Sequence, residues 1–169
     1  MVSIMIEDAI RLLLSNLPSL LFVVALIAAS TIGRSTPWPE RYLSWILLLP
    51  IGVGGIWAGL FHIAFPAVAS AEIGWQPGPF EFEVGAADVA MGIVAVLSFW
   101  RSYAFKAAIA LVTVIFFAGV TVGHFIQAFG SGDYAPDNFG LLLVVTILQA
   151  LALAALLWLA PRHQPRLAG

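Results

Sequence analysis

Five stretches of this sequence, residues 17–33, 42–65, 82–100, 107–129 and 139–160, are nearly unbroken runs of apolar side chains. A helix needs about 17–25 such residues to cross a bilayer, so each run is an expected span. Strands of a membrane barrel alternate apolar and polar residues over about ten positions, and these runs are continuous and roughly twice that length. The expected fold is therefore an all-α integral membrane bundle of five transmembrane helices. Composition agrees: 62% of residues are hydrophobic and 9% charged, against about 45–50% and about 25% in soluble domains. A soluble domain is excluded, and so is a nucleic-acid partner, which would require a basic footprint. The absence of cysteine excludes disulfides and thiolate metal sites.

The breaks between runs have turn chemistry. Residues 33–41 hold two prolines and three charges, and residues 66–79 hold Gly74, Pro77, Gly78 and Pro79. Residues 130–138 supply Gly130, Gly132, Asp133, Pro136 and then Asn138 as a helix start. Residues 101–106 are more apolar, yet one helix over residues 82–129 would be about 70 Å long, so a tight hairpin is expected there. Residues 17–162 thus form the expected bundle, followed by a tail at 163–169. Residues 1–16 carry Glu7, Asp8 and Arg11 within an apolar run ending before Pro18. They read as an amphipathic helix in the bilayer interface or as a tilted extension of the first span kinked at Pro18.

Arg34, Arg41, Arg101, Lys106, Arg162 and Arg166 fall on one side of this topology, and Arg11 alone on the other. Basic loops face the cytoplasm. The expected protein therefore sits in a bacterial inner membrane with its N-terminus outside and its C-terminus inside. The acids are skewed the other way, with only Glu40 on the cytoplasmic side.

Ionisable residues within spans are costly and mark functional sites by default. His62, Glu83, Asp88, His124 and Asn138 all fall near the outer ends of their runs, at one expected depth. Gly52, Gly55, Gly59 and His62 follow helical spacing along one face, which lets another helix or a flat cofactor approach closely. Thr113, Thr121, His124 and Gln127 form a similar row, and Gln149 lies eleven residues after Asn138, nearly eclipsed with it. Glu81, Gly85, Asp88 and Gly92 share a face, with Glu83 about 140° from Asp88. Glu81 reads as an interfacial acid favoured by the helix dipole.

Histidine and carboxylate ligands suit a Zn, Fe or Mn site formed by His62, His124, Glu83 and Asp88. Alternatively, the two histidines hold a haem axially. An accessory subunit of a larger membrane complex, or a homo-oligomer, with the cluster satisfied internally is a second reading. A proton or small-solute conduit is a third.

Phe61-His62, Glu72-Ile73-Gly74-Trp75, Phe80 through Gly92, Gly123-His124-Phe125 and Ala135-Pro136-Asp137-Asn138 together resemble, in outline, the DoxX-like four-helix membrane proteins. The resemblance covers a little under half of the chain. It implies a four-helix core with the polar cluster at its outer end and an added N-terminal span, and it supplies no reaction.

Overall fold

The computed structural model describes residues 16–163, with side chains described as far as Ala160. The expected interfacial segment at 1–16 and tail at 163–169 lie outside these residues, apart from Asn16 and the backbone of His163. Helix is the only regular structure among the described residues. The helices are α1 (Leu17–Thr31), α2 (Trp38–Ala64), α3 (Pro66–Ile73), α4 (Phe80–Ser98), α5 (Tyr103–Ser131) and α6 (Leu141–His163).

Among the described residues three helices are long and apolar enough to cross a membrane: α2, α5 and α6 over Leu141–Ala160. The expected five spans are corrected to that number. Helix α1 has 15 residues, about 22 Å of rise against a hydrocarbon core of about 30 Å. Helix α4 has 19 residues but carries Glu81, Glu83 and Asp88. The outward faces are suited to lipid: Ile115, Ile126, Leu151 and Trp158 are each more than 60% exposed.

Helix α2 is continuous but not uniform. Pro50 lacks an amide hydrogen and its ring crowds the preceding turn, and residues 47–53 around it form a π-helix. Past this stretch α2 lies against α4 with backbones in contact. A Cβ on Gly59 would stand 2.5 Å from the Gly85 carbonyl oxygen, and one on Gly92 would stand 2.8 Å from that of Gly52. The glycine stripe thus packs helix on helix, as small-residue faces do in membranes.

Helix α3 lies within residues 66–79, where sequence pattern suggests a loop. Pro66 occupies its first turn and Gly74, at φ 87°, ends it in the left-handed region. A side chain on Gly74 would also strike the Asp133 carboxylate, 2.6 Å away.

The apolar core sits at one end of the bundle, built from Phe22, Ala25, Leu43, Ile46, Leu47, Ile109, Leu153 and Leu156 among others. That end holds the 32–37 and 99–102 turns with Arg34, Arg41 and Arg101. The other end holds α3 and the loop after α5, with Glu72, Glu81, Asp133 and Asp137. Helix α1 covers the basic end only, because Pro18 at its start already lies level with Gly54 of α2.

Candidate functional site

Towards the acidic end the helices enclose a cavity of about 650 Å³. Its walls come from Pro18 at the start of α1, the half of α2 from Pro50 onward, the first half of α4, the face of α5 from Thr113 to His124, and the first turns of α6. Thr113 and His124 are eleven residues apart, so the cavity runs about 16 Å along the bundle at 1.5 Å per residue. Trp75, Gln76 and Gly78, from the segment after α3, border its mouth.

Each histidine on its wall is held by a separate partner. The His62 Nδ1 lies 2.7 Å from Glu81 Oε2, and Ser70 Oγ donates to the other carboxylate oxygen at 2.5 Å. A carboxylate accepts only, so His62 donates from Nδ1. The His124 Nδ1 lies 2.6 Å from Asn138 Oδ1, while Asn138 Nδ2 donates to the Asp133 carbonyl at 2.6 Å. The amide nitrogen is thereby committed as donor, its oxygen must accept, and His124 also donates from Nδ1. The His124 ring further stacks on Trp75, with centroids 6.1 Å apart.

The remaining polar groups are less engaged. Asp88 lines the cavity about seven residues, or roughly 10 Å, below Glu81. Its carboxylate makes no hydrogen bond among the described residues, and His62 is its ionisable neighbour. Gln149 lines the deep end, is 3% exposed, and likewise makes no hydrogen bond among the described residues. Thr113 faces the same space but donates to the Ile109 carbonyl of its own helix. At the mouth, burial raises the Asp137 pKa above the ordinary carboxylate value. The nearby Glu72 charge raises it further, and His124 partly opposes both.

Of the expected site residues, His62, Asp88, His124 and Gln149 line this one cavity. Asn138 stands behind His124 as its partner. Glu83 is exposed on the far side of α4 and takes no part. Thr121 and Gln127 are half-buried and off the cavity wall, and Gly52 serves the α2–α4 packing, as does Gly59. Glu81, expected as a dipole-stabilised interfacial acid, is instead the His62 partner. Its shared face with Asp88 was the sequence signal for that role. Ser70 and Trp75 had no such signal, since both depend on α3.

The metal reading finds no support: among the described residues no group of three or more His, Asp or Glu side chains is placed to hold a metal ion. The reason is geometric. Glu83 points away, and each histidine has its own partner on a different pair of segments.

The chain belongs to a family of unknown function (DUF6790), whose model matches residues 15–166. That match takes in α1 as well as the four-helix region, and no link to DoxX-like proteins emerges from it. No curated protein and no solved structure matches the chain.

Proposed function

We propose that this is an inner-membrane protein whose outer half binds a small molecule in the His62/Asp88/His124 cavity. One observation carries the reading: the half-buried Asp88 carboxylate and the buried Gln149 amide both face a 650 Å³ space without a hydrogen-bond partner among the described residues. Their polar atoms are open to the cavity and so are free to bond a molecule within it, and a cavity of this size is within the range of small-molecule sites. Its largely apolar lining with a few convergent polar groups matches that class as well. In this reading the acidic end faces the periplasm and the basic end the cytoplasm, because Arg34, Arg41, Arg101 and Lys106 gather at the latter. A C-terminal reporter is then active only in the cytoplasm.

Filling the cavity tests the binding reading. A Cβ on Gly123 meets nothing within 4 Å, so Gly123→Trp projects an indole without forcing the backbone. Small aryl-alkyl compounds at about 100 times their Kd stabilise a single-site protein by about 2.7 kcal/mol. The wild-type protein in lipid nanodiscs is expected to show that rise in melting temperature, and folded Gly123→Trp to lose it. Equal shifts in both would sink the reading.

A second reading has its own support. His62 and His124 each have a side-chain partner at Nδ1, as expected of an accessory subunit whose polar cluster serves its own packing. That reading gains if no compound shifts the wild type and mild extraction yields a larger assembly of fixed composition.

A further inference from the structure

The cavity wall carries three carboxylates, Glu81, Asp88 and Asp137, and no Lys or Arg among its described residues. They are not equivalent. Glu81 is spent, with His62 on one oxygen and Ser70 on the other. Asp137 sits at the mouth beside Glu72 and His124. Asp88 lies deeper, without a hydrogen bond among the described residues, in a space whose other walls include Met91, Phe116 and Phe117. Further in, the 97% buried Gln149 presents an unpartnered amide to the same space. Both histidines donate from Nδ1 to their own partners, Glu81 and Asn138. The wall thus carries carboxylates with no Lys or Arg to balance them, that of Asp88 without a hydrogen bond among the described residues, in an apolar and aromatic surround.

A ligand complementary to that wall is a hydrogen-bond donor with positive charge and an apolar body. We propose that the cavity selects a compact lipophilic ammonium, with Asp88 as the counter-ion of its nitrogen, Gln149 as a further acceptor, and Phe116 and Phe117 against its body. Charge-assisted hydrogen bonds are the strong ones, and aromatic faces attract a desolvated cation. A carboxylate of the same shape meets the repulsion of Asp88. A neutral alcohol keeps the apolar contacts and loses the charge. This inference rests on the cavity reading above and names the class of molecule it takes.

Three probes with one carbon frame separate these cases: 4-phenylbutylamine, 4-phenylbutan-1-ol and 4-phenylbutanoate. Each is titrated by calorimetry at about pH 7, where the amine is protonated and the acid ionised. The protein is in phosphatidylcholine nanodiscs, and partition into empty nanodiscs is subtracted. The amine is expected to bind at least about tenfold tighter than the alcohol, the scale of one hydrogen bond to a charged group, with the acid weakest. In Asp88→Asn the preference for amine over alcohol falls to less than about threefold. In Gln149→Leu the amine weakens several-fold. If the alcohol or the acid equals the amine in the wild type, the ammonium assignment is overturned while the cavity stands. If no probe binds above empty nanodiscs, the cavity reading itself fails. A folded Asp88→Asn that keeps the tenfold preference removes Asp88 as the counter-ion. Should that variant not fold, the wild-type ranking and Gln149→Leu still decide the matter.

Discussion

At the basic end of the bundle, polar groups close on one another across helices. Lys106, 6% exposed, places Nζ 3.0 Å from Glu40 and so joins α5 to α2. Arg41 donates to the Ala29 carbonyl, the Ser30 and Tyr42 hydroxyls meet at 2.7 Å, and Tyr103 reaches the Leu157 carbonyl. Each bond spans two helices, and apolar core fills the space between them. At the acidic end one polar bond, His62 to Glu81, joins the end of α2 to the start of α4, and the others involve the short helix or a loop: Ser70 of α3 to Glu81, His124 to the loop before α6. They fix the rim and leave the middle open. Helix α1 contributes to the first arrangement and meets the second only through Pro18, which lines the cavity. A cavity needs such an asymmetry, since a bundle tied equally at both ends would close on itself.

Breaking the basic end has the largest expected effect. Glu40→Ala strands the buried Lys106 ammonium, and removing one partner of a buried pair costs about 3–5 kcal/mol. The 21% exposure of the Glu40 side chain sets the expectation at the low end of that range. Equilibrium unfolding in mixed micelles measures it. A loss under about 1 kcal/mol would mean that this end is not the anchor of the bundle.

The α2–α4 wall comes next. Gly59→Ala puts a methyl 2.5 Å from the Gly85 carbonyl and 2.8 Å from the Val89 amide. Both obstacles are backbone, so the helices must separate, and overpacking of this kind costs about 1–3 kcal/mol. The upper part of that range is expected, with Gly55→Ala milder because its nearest neighbour stands at 3.4 Å. Equal costs for the two would show that the wall yields as a unit and is not locked at Gly59.

This wall was legible in the sequence because a 3-4-3 glycine spacing is a local, one-helix signal. The helices were legible for the same reason, through unbroken apolar runs. Their number as spans was not, since apolarity alone did not weigh the 15-residue length of α1 or the three acids of α4. Pro50 stood in plain view inside an apolar run, and its consequence, a π stretch, depends on how the chain repacks around a missing amide. The site was legible in part. Asp88 and the histidines lay at one depth, and helical phase put Asp88 and Glu81 on one face, with Glu83 off it. What phase cannot give is the partner of each histidine. Those come from α3 and the 132–140 loop, through contacts between segments far apart in sequence.

Loosening the acidic rim is expected to cost less. Asn138 is fully buried and bridges His124 to the Asp133 carbonyl. Asn138→Ala removes both bonds, yet water from the cavity can reach His124. The expected cost is near the bottom of the about 1–3 kcal/mol range for an orphaned buried group. Hydrogen exchange should quicken in residues 132–141 and stay unchanged around Lys106. Faster exchange at both ends would refute the independence of the two halves.

The smallest effect concerns Asp137, and its sign is fixed by the environment. Burial and the Glu72 charge raise its folded pKa above the 3.8 of a free aspartate, His124 opposing. Between those two values the folded protein holds a proton that the unfolded chain has released. Stability is therefore highest below the unfolded pKa and declines as pH rises towards the folded one. Above that window the ionised carboxylate is a standing penalty at the rim. Asp137→Asn keeps the shape and the amide hydrogen-bonding capacity but cannot ionise, so it removes the decline. The melting-temperature difference, variant minus wild type, is expected to grow with pH from about 4 upward and then level off, reaching at most a few degrees. The Lys106–Glu40 end contributes equally to both proteins and cancels. A difference that is flat across that range would mean that Asp137 feels solvent as an ordinary surface carboxylate does, and that the rim is more open than its contacts with Glu72 and His124 imply.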